Sequence, residues 1–554
     1  METVETGWNT LVGCDPERMV RTALEVRPGI ELVWPYGDGR AAERMVSVVI
    51  CNALQKDRKT MNRKMAAWAW MKNKVSLVLP KGQFARSVAV LAGGTALGQA
   101  ITVLISPILT RLYTPEDFGV LAIYSSILGI LSVVASWRYE LAIPLPERDE
   151  DAVNLVALSL GIVVLMTLVV GLGTWLLENH IVHWLNAPGL RAYLWLLPIG
   201  MLLVGSYQVF NYWAIRKKAF GIIARTKLYQ GFGTSFTQVL SGFLNHSPLG
   251  LLLGQIVGQS AGVSTLFKTF WKPNGNFLHV INSTNLSKML RRYRSFPLFS
   301  SWAGVFNTLS MQLPTLMISS LFGVRITGFY MLAYRVLWMP TQLLSQATTQ
   351  VLLSAGSEAQ RQGNISNLVT SSFKRLVLVG LPYFVFIGLI APELTMLVFG
   401  EDWRETGVMI QWLTPWIFLV FITSPLSAFS VVLEKQRQEA VFQIILLASR
   451  LGALLLGWKL DSSSIAIALF AIASAICWLG YLIWILRVTG VAFLRVGMLT
   501  LTKEIAINAP FFLLLLCFKE LYQNMLYVLT VAGFMILAAT AIVIYRLHKG
   551  QDNG

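Results

Sequence analysis

From residue 87 to residue 545 the chain is a succession of long apolar segments separated by short loops. About 20 mostly apolar residues make a helix that crosses the hydrocarbon core of a bilayer. The pattern therefore predicts an all-α polytopic membrane protein. The expected spans are 87–110, 118–137, 152–177, 191–214, 226–245, 248–270, 296–321, 327–353, 376–399, 407–433, 440–458, 464–486, 505–520 and 525–545, fourteen in all. The thirteenth is short and carries Pro510. Of the 554 residues 55% are hydrophobic and 13% charged, and the mean hydropathy is +0.60. That balance excludes a soluble enzyme built around one core.

A formal charge of +17 would, in a soluble chain, point to nucleic acid. Its distribution points to a bilayer instead, and no nucleic-acid partner is expected. Of the 45 Lys and Arg, 14 precede residue 87. With the N-terminus inside, the odd-to-even loops carry 6, namely Arg111, Arg191, Arg325, Arg404, Lys459 and Lys519, and the opposite loops with the C-terminus carry 23. Lys and Arg accumulate on the cytoplasmic side, so both termini are expected there. The N-terminus lacks the basic-then-apolar pattern of a signal peptide. Cys14, Cys51, Cys477 and Cys517 form no CxxC pair and no ligand spacing with the five histidines, so no disulfide framework, metal or cofactor is expected. HExxH and P-loop patterns are absent from the sequence, which argues for a transporter rather than an enzyme.

Two basic residues, Arg335 and Arg450, fall well inside spans. Arg335 shares a helical face with Gln342, Gln346 and Gln350, at spacings of 7, 4 and 4. Each strongly polar group facing lipid costs roughly 2.5–3.5 kcal/mol, so such a stripe belongs against other helices or a wet cavity. Acids are scarce at that depth: Glu140 and Glu393 alone approach it, each near a span end. Unpaired guanidinium groups in a cavity suit an anionic substrate, because arginine grips phosphate through two parallel hydrogen bonds. Arg335, Arg450, Gln342, Gln346 and Gln350 are therefore the candidate substrate-binding residues, and helix–helix hydrogen bonding is the alternative role for the stripe. Arg111 and Arg138, at helix ends, read as interfacial anchors.

The chain also carries an internal repeat. LYTPEDFGVLAIY (112–124) aligns without gaps to LFGVRITGFYMLA (321–333), matching Gly119 to Gly328. The offset spans six expected helices, an even number, so the two halves run parallel, an arrangement that places substrate between lobes. Gly250, Gly254, Gly258 and Gly262 recur every four residues and form a stripe for close helix packing, with Gln255 and Gln259 beside it.

Several blocks in order resemble Wzx-type polysaccharide-unit flippases of the multidrug/oligosaccharidyl-lipid/polysaccharide exporter superfamily. They are PILTRLYTPEDFGVLAIYSSI (107–127), FNYWAIRKKAFGIIARTKLYQ (210–230), GLLLGQIVGQ (250–259), AYRVLWMPTQLLSQATTQV (333–351) and FGEDWRETGVMIQWLTPW (399–416). The resemblance implies an N-terminal lobe over 87–285, a C-terminal lobe over 286–487, each of six helices around a central cavity, and two additional helices with a tail over 488–554. It implies alternating access that carries undecaprenyl-pyrophosphate-linked oligosaccharide from the inner to the outer leaflet of the bacterial inner membrane, for O-antigen, capsule or exopolysaccharide. Other polysaccharide assembly proteins are implied partners, and the two extra helices are expected to offer a groove to the lipid tail. The coupling ion is left open. A peptidoglycan-precursor flippase and a multidrug exporter are the alternatives within the superfamily. The exporter would call for membrane-buried carboxylates, and a glycan polymerase or ligase for a large external loop, which this sequence lacks.

Residues 1–60 stand apart. TGWNTLVGCDPERMVRTAL (6–24) and PYGDGRAAERMV (35–46) resemble the C-terminal tail of non-hydrolysing UDP-N-acetylglucosamine 2-epimerases, with Trp34 where Asn is usual. The rest of that domain is missing, so a non-functional remnant is expected, followed by a basic cytoplasmic segment over 61–86.

Overall fold

The computed structural model describes residues 83–244, 247–274, 281–521 and 525–552. The epimerase-like segment and the basic segment up to residue 82 lie outside the described residues, and so do the side chains of Pro340, Gln346 and Gln350. What is described is helical from end to end. The first half contains α1 (Gln83–Leu104), α2 (Ser106–Leu112), α3 (Pro115–Val134), α4 (Asp149–Trp184), α5 (Leu196–Arg216), α6 (Phe220–Leu244), α7 (Pro248–Ser260) and α8 (Val263–Asn274). A surface helix, α9 (Ser283–Arg292), leads to α10 (Ser301–Phe322), α11 (Val324–Arg361), α12 (Ile365–Phe399), α13 (Arg404–Leu426), α14 (Ala428–Val432), α15 (Gln436–Lys459) and α16 (Ser463–Val488). The C-terminal pair is α17 (Leu499–Leu521) and α18 (Met525–Asp552).

Among the described residues ten helical segments are long and apolar enough to cross a membrane. The other four expected spans coincide with α5, α6, α10 and α11. These helices carry the polar residues that face protein rather than lipid, such as Gln238 and Ser319, both almost wholly buried. The chain is a multi-pass membrane protein. The sixth expected span is divided: α7 ends where Gly262 takes φ 92°, the left-handed region that glycine enters without a Cβ clash.

Packing repeats with the sequence. α4 lies along α5 and α6 along α7; in the second half α12 lies along α13 and α15 along α16. The small-residue stripe does pack: Cβ atoms at Gly250, Gly254 and Gly258 would run into Ser241, Gln238 and Thr234, all on α6. The two halves meet where α3 crosses α11 and α10. At that crossing a Cβ on Gly119 would collide with the Val324 carbonyl, and one on Gly328 with the Pro115 carbonyl. Gly119 and Gly328 are repeat equivalents, and so are Pro115 and Val324, so the contact is reciprocal about a pseudo-two-fold axis.

Around this crossing the sparsely charged end of the bundle is closed. Trp403 sets its ring edge-to-face on Phe118 at 4.9 Å, stands 6.0 Å from Phe329, and donates its Nε1–H to the Thr110 carbonyl at 3.1 Å. The Ser319 hydroxyl donates to the Leu185 carbonyl at 2.6 Å, and Arg325 pairs with Glu116 at 3.4 Å. Each bond ties one half to the other. α3 itself starts with a capping box, in which Thr114 and Asp117 satisfy each other's backbone N–H.

Candidate functional site

Toward the basic end, the first half opens a polar cavity of about 420 Å³. Its walls come from four separate stretches: the end of α3 and the turn after it, the last turns of α5, the first turns of α6 and the end of α7. The turn supplies Arg138 and Glu140. Trp137 and Arg138 both lie in the left-handed region, at φ 50° and 63°. For side chains with a Cβ this costs on the order of 1–3 kcal/mol and concentrates at functional positions. The reversal sends the Arg138 guanidinium against Gly304, where a Cβ would overlap it. Its Nε is buried and makes no hydrogen bond.

Glu140 is 3% exposed and accepts a hydrogen bond from the Ser136 hydroxyl. Burial pushes its carboxyl above the ordinary carboxylate range, outweighing the Ser136 hydrogen bond and the nearby Arg138 charge. On the facing wall Lys227 donates to Gln230 Oε1 at 3.0 Å and rests over the Tyr207 ring at 5.0 Å. Gln230 in turn donates to the Gln259 carbonyl at 3.0 Å. The side-chain oxygens of Asn211 and Gln259 are buried without a partner. A buried polar atom left unsatisfied costs about 1–3 kcal/mol, so this wall is built to accept hydrogen bonds from something that enters.

The sequence-predicted arginines lie in the second half. Arg335 stands about 17 Å along α11 from Val324, at 1.5 Å per residue. Its Nη1 is buried and unpartnered, and no ion pair reaches it among the described residues. Gln342 is half-buried on the same helix. Arg450 is held differently: its Nε–H donates to the Ser474 hydroxyl at 3.0 Å, and its guanidinium lies over Trp416 at 4.7 Å and Phe470 at 5.5 Å. Tyr330 and Tyr334 of α11 extend that aromatic cluster, 6.1 Å from Phe470 and 6.1 Å from Trp416 respectively. Arg450 thus joins α15 to α11 through rings.

Arg138, read from sequence as an anchor, lines the cavity, and Gln259, read as packing, shares its wall. Lys227 and Gln230 were hidden at the start of an expected span, beside a basic loop whose charge the positive-inside pattern already explained. The usable signal was Glu140, an acid at the membrane edge two residues from Arg138.

Comparison with known proteins gives a consistent result. The profile of the family described as "Polysaccharide biosynthesis protein" matches residues 108–407. The lipopolysaccharide biosynthesis protein WzxC of Escherichia coli (strain K12) is 24% identical over 353 residues, covering 61% of this chain and 67% of that protein. The amylovoran biosynthesis protein AmsL of Erwinia amylovora is 22% identical, over 45% of this chain and 63% of that protein. Among solved structures, the lipid II flippase MurJ in an inward closed conformation superposes with a TM-score of 0.66 at 12% identity, covering 83% of this chain and 99% of that one. An inward-facing multidrug resistance transporter of the MATE family and MOP superfamily gives 0.55 at 14% identity, covering 72% and 94%. The fold is that of these transporters.

Proposed function

We propose, from the premise that this chain belongs to the polysaccharide biosynthesis protein family, that it flips polyprenyl-diphosphate-linked glycan repeat units across the membrane for surface polysaccharide assembly. The chain is a transporter and not an enzyme. The observation that carries the reading is the pair of idle arginine donors, Arg138 Nε and Arg335 Nη1, each buried without a hydrogen-bond acceptor, with Glu140 the acid near Arg138 but forming no ion pair with it among the described residues. A buried cation left in that condition is stable only where water or an anion supplies the missing acceptors. A diphosphate headgroup supplies them, and the amides of Gln230, Gln259 and Asn211 suit sugar hydroxyls.

Mechanistically, a cavity open at the basic end and a closed crossing at the other describe a loading state. The headgroup and glycan enter between the lobes from the basic, cytoplasmic side. Rocking about the Gly119–Gly328 contact then opens the sparsely charged side. Both termini lie in the cytoplasm of a bacterium whose inner membrane holds the protein. In this reading Arg335 and Gln342 belong to the binding surface of the second lobe, and Arg450, held by Ser474 and the rings of Trp416 and Phe470, supports it.

The test is deletion of the gene and chemical analysis of lipid-linked glycan on each face of the inner membrane. The expected result is accumulation of complete repeat units on the cytoplasmic face, relieved by the intact chain. Unchanged distribution of repeat units, or accumulation of peptidoglycan precursor alone, overturns the assignment.

A further inference from the structure

A second site lies where the second lobe meets the C-terminal helix pair. Where α17 begins and α18 ends, they meet α12 around a cavity of about 270 Å³. Its polar lining is Lys374, Arg375, Thr500, Lys503, Glu504 and Arg546. Glu504 is 4% exposed, and both its oxygens accept from Arg546, at 2.6 and 2.7 Å. This bidentate clamp neutralises the carboxylate and fixes Arg546 as one wall. Among the described residues Lys374, Arg375 and Lys503 form no ion pair, and all three are exposed at the rim. The positive-inside pattern accounts for cations on this face. It does not account for a buried carboxylate that orients one of them onto a cavity.

One turn farther along α12 and α18, an apolar groove of about 260 Å³ runs between Val379, Pro382, Tyr383 and Phe386 on one side and Ile536 and Val543 on the other, with Thr540 at its edge. From Lys374 to Phe386 the path along α12 is about 18 Å, slightly more than half of a hydrocarbon core of about 30 Å. A cationic head pocket at the end of a span with an apolar groove one turn beyond it, the two together about one leaflet deep, has the polarity of a single anionic lipid. The head pocket offers no aromatic ring and no side-chain amide, the groups with which the first-lobe cavity would meet sugars. Its occupant therefore carries a small phosphate head.

We propose that this site binds an anionic glycerophospholipid of the bilayer, phosphate against Lys374, Arg375 and Lys503 and acyl chain in the α12–α18 groove. The lipid seals the seam between the C-terminal pair and the transport core, and it occupies the groove that the resemblance would give to the isoprenoid carrier.

The experiment uses the purified full chain in phosphatidylcholine nanodiscs, with phosphatidylglycerol titrated in and bound lipid counted by native mass spectrometry. One phosphatidylglycerol per chain should be retained, with affinity that falls as salt rises. The triple variant Lys374→Gln, Arg375→Gln, Lys503→Gln should bind it roughly a hundredfold more weakly, from the contribution of each basic residue at an anionic headgroup. Thr540→Phe, which narrows the groove at an exposed position, should weaken phosphatidylglycerol as well. Inorganic phosphate should compete poorly, because it brings no chain. Equal retention of phosphatidylcholine, an unaffected triple variant, or full competition by inorganic phosphate overturns the proposal. Displacement by geranylgeranyl diphosphate at equal or lower concentration overturns the choice of occupant in favour of the carrier. None of these readouts involves glycan transport, so the site fails or survives separately from the flippase reading.

Discussion

The two lobes share a helix plan and handle buried charge in opposite ways. In the first, Arg138, Glu140 and Lys227 face a polar cavity, and Arg138 keeps a nitrogen without an acceptor. In the second, Arg450 is consumed by structure, between Ser474 and the faces of Trp416 and Phe470. Arg335 is the exception in that lobe, for it too has an idle donor. A repeated fold therefore preserves backbone contacts while side-chain chemistry diverges. An unused donor, more than burial itself, separates an arginine waiting for a ligand from one already employed.

The largest effect should come from the idle donors. Arg138→Gln and Arg335→Gln should each slow glycan export roughly 10- to 100-fold, the worth of one or two charge-assisted hydrogen bonds of about 1.5–3 kcal/mol, with unchanged membrane insertion and thermal stability. Arg335→Lys should restore only part of the rate, since an ammonium lacks the planar fork. Export assays beside a melting curve check this; normal export in both glutamine variants would break the comparison.

Next comes the crossing that the lobes share. Gly119→Val and Gly328→Val should destabilise alike, by at least the roughly 1–3 kcal/mol of ordinary overpacking, because backbone carbonyls cannot swing aside. Gly452, with open space around it, is the control: Gly452→Ala should be neutral or gain up to about 1 kcal/mol of helix propensity. Unequal effects of the two valines, measured by thermal melting, would show that the pseudo-symmetric contact is not equally shared.

Arg450→Gln should behave unlike the first pair. It forfeits cation–π contacts of about 0.5–2 kcal/mol, so the melting temperature should fall along with export. A variant that lost export at unchanged stability would move Arg450 into the ligand-waiting class.

The smallest effect concerns Glu140. Its folded-state pKa is raised by burial, so its contribution is fully present below the unfolded value of about 4.3 and is lost as pH rises through the folded value. Relative to Glu140→Gln, the unmodified chain should therefore lose stability as pH climbs above about 4.3 toward neutrality. Parallel stability–pH curves for the two proteins would show that the carboxyl titrates normally.

How far the sequence reached can be read element by element. Local hydropathy sufficed for α4, α12 and α16, where a lipid environment is the only one that suits so many consecutive apolar residues. The 112–124 and 321–333 match showed the parallel halves, and the structure then set its two glycines at the lobe contact, because a helix crossing this tight admits only glycine at Gly119 and Gly328. The stripe from Gly250 to Gly258 was legible because its spacing of four keeps to one helical face. The first-lobe cavity was not. Its walls span residues 132 to 259, and whether Lys227 faces lipid, loop water or Tyr207 depends on how α5 and α6 cross.

The basic pocket of α12, α17 and α18 was hidden likewise, since Lys374, Lys503 and Arg546 each look like ordinary loop-side cations until the helices meet around Glu504. The sequence by itself determined which segments leave water and which glycine face of α7 packs closely, since hydrophobic transfer and steric exclusion act residue by residue. The tertiary structure alone decided which charged groups have partners. A hydrogen bond needs two groups about 3 Å apart, and that distance is set by helices brought together from distant parts of the chain.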